Sequence, residues 1–202
     1  MKIRNTAIVA ALLSATAIAV PATAQVSGIA TAETAVAIAR TKALGTAYQQ
    51  IGTQYAGVVQ QMQTKRQEIN NINVQLDTNK DKELTQAELD IAIQAKNPLL
   101  TQLDAKQKEL SALQEPIILA RLYAVEQVAL KYDAALQAVI TAKKISVILT
   151  PDAFIWAPEA VVVTPAITAE LDKAVPSVAI TPPAGWSPSR PIVALYQQIQ
   201  QL

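Results

Sequence analysis

Apolar residues recur through residues 43–143 at a spacing that alternates between three and four. On the way out they fall at Tyr48, Ile51, Tyr55, Val58, Met62, Ile69 and Leu76, with Lys65, Arg66 and Ile72 at the gap positions. The same spacing returns at Leu110, Leu113, Ile117, Ala120, Ala124 and Val128, then drifts by one residue through Tyr132, Ala135 and Val139. A period averaging about 3.5 residues places these side chains on one narrow stripe, the seam along which two helices pack. Two such stripes joined by the short polar segment 77–88 predict an antiparallel helical hairpin. Gln60, Gln61, Gln63, Gln67, Asn70 and Asn71 crowd the outer face of the first arm, as a solvated helix surface requires.

The flanks follow different patterns. Residues 26–31 contain Gly28 and predict a brief strand, with helix beginning near Glu33 and a joint at Gly45. The outgoing helix is expected to end at Leu76, and the returning one to start at Thr85 and reach Lys143. Pro98 and Pro116 interrupt the returning arm, and each predicts a kink or break, because an interior proline removes a backbone bond and clashes with the preceding turn. Beyond Lys143 the β-branched run Ile145-Ser146-Val147-Ile148-Leu149 is followed by a turn at Thr150, Pro151 and Asp152. The runs Ala153-Phe154-Ile155-Trp156-Ala157 and Ala160-Val161-Val162-Val163 then complete an expected antiparallel meander, with Trp156 in its core. Ile167, Leu171 and Val175 mark one side of a short helix, with Pro165 in its first turn, where proline is tolerated. From Thr181 onward Pro182, Pro183, Pro188 and Pro191 predict an extended tail, with a brief helix using Ile192, Leu195, Tyr196 and Ile199.

The fold class is therefore α+β: a long, coiled-coil-like antiparallel hairpin projecting from a small β-sheet body. Residues 25–45 and 144–180 form the body with short helices, 46–143 the hairpin, and 181–202 the tail.

Composition narrows the function. Lys2 and Arg4 precede an apolar run over residues 8–20, and Ala22-Thr23-Ala24 supplies the small residues that signal peptidase needs. Residues 1–24 are thus read as an export signal cleaved near Ala24. The 202 residues hold 17 Lys and Arg against 16 Asp and Glu, so losing Lys2 and Arg4 leaves one net negative charge. That balance is no footprint for nucleic acid. Cysteine and histidine are both absent, which excludes disulfides, thiol nucleophiles and the commonest general base and zinc ligand. An enzyme is not expected, nor is a required cofactor. With one Phe and two Trp, a single chain has little material for a core, and assembly with sister chains would bury its seams.

One segment carries a specific chemical pattern. In residues 77–88, Asp77, Asn79 and Asp81 occupy positions 1, 3 and 5 of a twelve-residue calcium loop. Glu83 would offer its carbonyl at position 7, Thr85 stands at position 9, and Glu88 could bind bidentately at position 12. Calcium needs six to eight hard oxygens converging from one short loop, which is what this spacing provides. Lys82 departs from it at position 6, where glycine makes the sharp turn. A second reading is purely structural: Thr85-Gln86-Ala87-Glu88 is also a capping box that would start the returning helix by itself.

The order of elements, the seam from Tyr48 to Met62, and the closing segment 145–175 with Glu170-Leu171-Asp172 resemble the Skp/OmpH family of periplasmic chaperones. The resemblance covers essentially residues 1–180. It implies a homotrimer in which strands of three chains build a central β-body and three hairpins enclose a cavity. It further implies that unfolded outer-membrane proteins are held there without ATP, in the periplasm, with peripheral lipid contact. The family's better-known members have strongly basic arms, whereas acidic and basic side chains nearly balance over residues 58–131, which weakens long-range capture. The calcium-like tip and the Pro-rich tail are not general family features and point to a subgroup. The alternative is a structural or calcium-responsive coiled-coil protein of the cell envelope.

Overall fold

A computed structural model describes residues 28–202; the signal-segment reading of residues 1–24 lies outside them. The chain is mostly helical around a two-stranded sheet. Strand β1 (Ile29–Thr31) is followed by α1 (Thr34–Ala39), α2 (Lys42–Gln54) and α3 (Ala56–Leu76). After the tip loop come α4 (Gln86–Gln94), α5 (Leu99–Ala129), α6 (Tyr132–Lys143) and strand β2 (Val147–Leu149). Helices α7 (Thr164–Ala174) and α8 (Arg190–Ile199) close the described chain.

The hairpin forms as its periodicity predicts, with α2 and α3 packed along α5. Its seam is divided into three apolar clusters. Ile72, Leu76, Ala92 and Leu103 form one at the tip, and Ile51, Met62, Ile117 and Ala120 one in the middle. The largest lies in the body, where Ile38, Leu44, Val125, Val128, Ile167 and Leu171 are fully buried. Between tip and middle, starting from the gap position Lys65, Lys65 meets Glu109 at 2.7 Å and Lys106 meets Glu68 at 3.0 Å across the two arms, while Lys65–Glu68 at 3.0 Å and Lys106–Glu109 at 3.3 Å pair along each arm. Hydrogen bonds between these groups raise the Lys65 pKa and hold the Glu68 and Glu109 carboxyls below the usual carboxylate range.

Several joints fall elsewhere than the sequence suggests. α2 passes through Gly45, and the outgoing chain turns instead at Arg40 and Thr41, where the Thr41 hydroxyl donates to the Ile38 carbonyl at 2.8 Å. Pro98 breaks the returning arm as predicted, but α5 runs through Pro116 without interruption. The returning arm does break at Leu130 and Lys131, between α5 and α6. This break absorbs the one-residue drift of the pattern after Val128.

The expected antiparallel meander is not there. β1 and β2 pair in parallel, with Ile29 opposite Val147 and Thr31 opposite Leu149. The whole hairpin serves as the long crossover that a parallel pair requires. Gly28 makes the close entry: its carbonyl accepts from both Ser146 and Val147 N–H at 2.8 Å, its φ is 98°, and a Cβ there would lie 3.0 Å from Ser146 Oγ. Among the described residues, 153–157 find no strand partner. Pro151 opens one 3-10 turn and Pro158 precedes another, and neither can donate to a ladder. Trp156, expected in the core, is 77% exposed.

α7 locks the body through contacts invisible to periodicity. Thr164, Thr168 and Asp172, spaced by four, share one face. Thr164 Oγ1 accepts from Glu33 N–H at 3.0 Å, Thr168 Oγ1 donates to the Ala37 carbonyl at 3.0 Å, and Asp172 Oδ1 accepts from Lys42 N–H at 2.8 Å. One helix thus supplies the caps that α1 and α2 lack in their own sequence.

Candidate functional site

The tip loop brings its predicted residues together, and their hydrogen bonds show what holds it. Asp77, 8% exposed, ends α3; its Oδ1 accepts from Lys80 N–H at 2.7 Å and its Oδ2 from Lys82 N–H at 2.8 Å. Asn79 Oδ1 accepts from Asp81 N–H at 2.8 Å, and Asp81 Oδ1 from Glu83 N–H at 2.9 Å, so each side chain turns the backbone two residues ahead. Lys80 and Lys82 adopt φ values of 63° and 73° to let the loop wrap around Asp77.

Glu88, 5% exposed, staples the other end. Its Oε2 accepts from Thr85 N–H and Oγ1 at 3.0 and 2.9 Å, and its Oε1 from Thr78 N–H, Thr78 Oγ1 and Asn79 N–H at 2.8–3.2 Å. Thr85 Oγ1 in turn accepts from Glu88 N–H, completing the capping box. The bonds from Thr85, and then those from Asn79 and Thr78, hold the Glu88 carboxyl down at about 2. Glu83 is exposed. Among the described residues no group of three or more acidic, His or Cys side chains is placed to hold a metal ion. Bidentate calcium ligation by Glu88 would exchange five hydrogen bonds that its two oxygens now accept.

A second candidate surface lies at the body. Ile29, Val147, Leu149 and Val162 are exposed around the sheet, and the Ile155 and Trp156 side chains stand free of it. Among the described residues β2 pairs only with β1, and its other edge carries no strand.

The third is the tail, which docks at the base of the hairpin. Gln127 on α5 clamps the backbone of Ala179, donating to its carbonyl at 2.8 Å and accepting its N–H at 2.9 Å. Trp186 Nε1 donates to Glu126 Oε2 at 2.7 Å, and its ring meets Tyr123 edge to face at a centroid distance of 5.1 Å. α8 then packs on α5 and α1, burying Ile199. Nearby, burial pushes the Tyr48 hydroxyl up to about 12, reinforced by Tyr196 and opposed by Arg121, whose guanidinium lies 5.5 Å from the Tyr48 ring centre. The tail's amphipathic end was legible in the sequence; its anchor on Tyr123, Glu126 and Gln127 was not. A tryptophan in a proline-rich segment was the one signal that something must cover it.

The described residues thus define a class: a helical hairpin on a small parallel-sheet body, buttressed by its own tail. No family model and no curated protein matches the chain. Among solved structures it is similar to a chain from Caulobacter crescentus CB15 that bears the name of an OmpH-like outer membrane chaperone. The identity is 23%, the match covers 76% of this chain and 88% of that one, and the TM-score is 0.47.

Proposed function

We propose that the protein is a non-enzymatic, ATP-independent periplasmic holdase for unfolded outer-membrane proteins, exported by a signal cleaved near Ala24 and acting as a homotrimer. What supports this reading is how the exposed apolar surface is divided. It is concentrated at the body in Ile29, Val147, Leu149, Ile155, Trp156 and Val162, and scattered singly along the arm in Val59, Val74, Ile91, Ile93 and Ile118. A concentrated patch beside an open strand edge suits self-association. Dispersed side chains suit many weak, exchanging contacts with an unfolded client, whose aggregation falls when its unfolded state is bound. In the trimer, residues 153–157 take the strand form their sequence favours by pairing with a neighbouring copy.

Light scattering on the mature protein and on Ile155→Asp tests the assembly; a monomeric wild type would end the cavity reading. Dilution of a β-barrel protein from urea then tests the activity. The wild type is expected to keep the client soluble in excess, and a trimer that leaves it to precipitate would refute holdase function.

A second reading makes the hairpin a spacer of the cell envelope with a calcium-responsive tip. It is favoured by Lys82, whose φ of 73° is the one that a calcium loop normally reserves for glycine at this position. Calorimetry with calcium on the wild type and on Asp77→Ala decides it, and no heat in either removes the metal site.

A further inference from the structure

We propose that Tyr123, Glu126 and Gln127 form a peptide-binding site on α5, held by the chain's own residues 179–186 and able to exchange them for an extended, aromatic-bearing segment of a client. The exchange with a client rests on the holdase reading; the site itself does not.

The chemistry of the site is that of a peptide reader. Tyr123, Glu126 and Gln127 stand three and four residues apart, so they share one face of α5. The Gln127 carboxamide is oriented before it meets the tail, because Nε2 also donates to the Tyr123 carbonyl at 3.0 Å. It then pairs with both the N–H and the carbonyl of Ala179, as a neighbouring strand would. Such a clamp reads backbone, so it accepts any residue except proline. Seven residues on, Glu126 and Tyr123 form a slot for an aromatic ring with a polar N–H: the carboxylate accepts the indole N–H in a charge-assisted hydrogen bond, and the tyrosine meets the ring edge to face.

The present occupant is built to leave. Residues 175–189 have no helix or strand. Among the described residues, their side-chain hydrogen bonds to the rest of the chain are those made with Glu126 and Gln127. The Ala179 clamp lies at the exposed surface. On α8 only Ile199 is buried, while Ile192, Leu195 and Tyr196 stay partly exposed. Val175 is buried and Val178 and Ile180 pack half-buried against the core, but no residue from Thr181 to Ser189 is buried, and such a stretch opens locally far more often than the core. Pro182, Pro183 and Pro188 stiffen it in an extended form, the form in which an unfolded β-barrel strand with its girdle aromatics would arrive.

The test uses the full chain and a fluorescein-labelled peptide of residues 176–189, read by anisotropy. In Trp186→Ala/Ala179→Pro, which loosens the tail without touching α5, the peptide should bind on the order of tenfold more tightly than in the wild type, where the cis segment competes. Adding Gln127→Ala to that variant should abolish the gain. Equal binding to all three proteins, or none to the loosened one while its tail amides exchange freely, would overturn the site. A urea-diluted β-barrel client should displace the bound peptide. If the loosened protein binds peptide and keeps the client soluble yet does not release the peptide, client exchange at this site is wrong. If the peptide binds as expected but no variant keeps the client soluble, it is the holdase reading that fails.

Discussion

Because the ionic group of Lys65, Glu68, Lys106 and Glu109 interrupts the apolar seam, the tip should unfold without the body. Leu103→Ala probes this directly. Leu103 is 9% exposed in a tip cluster with Ile72, Leu76 and Ala92, flanked by half-buried Ile69, Leu84, Leu89, Leu99 and Leu100. Removing three carbons forfeits about 2 kcal/mol of transfer free energy at ~0.8 kcal/mol per carbon. The cavity left near the surface can partly collapse, so the total should sit at the low end for such changes, about 2–3 kcal/mol. A factor of ten corresponds to about 1.4 kcal/mol. Native-state amide exchange at residues 69–103 should therefore accelerate about 30- to 140-fold, while amides of α1, α5 beyond Ile117, and α7 keep their protection. By contrast Leu171→Ala, fully buried in the body, should cost about 3–4 kcal/mol and lower protection throughout the body and adjoining arm. If Leu103→Ala reduced protection equally in α7, the hairpin would be one cooperative unit and the charged interruption would be no barrier.

Three further outcomes follow from local geometry. Lys96 and Lys144 end helices α4 and α6 in the left-handed region, with φ of 50° and 52°, and each forms the crossed hydrogen bonds of a Schellman cap that normally carries glycine. Lys144→Gly should stabilise the fold by about 0.5–1 kcal/mol, read as a rise of about 1–4 °C in Tm, and a fall would refute the strain. Asp172→Ala removes the side-chain acceptor of Lys42 N–H and should cost about 1 kcal/mol in urea denaturation, whereas a mutant of unchanged midpoint would deny it the capping role. The Glu88 carboxyl lies at about 2, below its ordinary 4.5, so its contribution is complete above pH 4.5 and is lost as pH falls toward 2. Tip amides measured by two-dimensional NMR should broaden or shift through that window in the wild type but not in Glu88→Gln, and an identical acid profile in both would exclude Glu88 as the staple.

Much of what near neighbours govern was legible in the chain, although the joint expected at Gly45 and the kink expected at Pro116 did not form. The 3.5-residue stripe named the seam residues, Thr85 and Glu88 announced the start of α4, and Pro165 with Ile167 and Leu171 announced α7. Helix periodicity and capping act over three or four residues, so sequence order is enough to state them. Even the tip was legible as a loop of alternating acceptors, though its hydrogen bonds display a staple where the spacing also suggested a metal cradle.

What only the tertiary structure decided were pairings between distant segments. Val147, Ile148 and Leu149 read equally well as part of a local meander, but their partner is Ile29–Thr31, on the far side of the whole hairpin. Ala153–Ala157 has strand-forming residues and no strand, because a ladder needs a second backbone and none of the described residues supplies one beside it. Lys65 stands at a gap in the heptad, and only the fold brings Glu109 to it from the other arm, as it brings Lys106 to Glu68. The proline-rich stretch 181–189 offered no periodicity, and its place was set by two adjacent side chains on α5, Glu126 and Gln127. Local rules specify which segments become helices; a hydrogen bond or ion pair across the fold depends on where those helices lie, and that is a property of the folded chain alone.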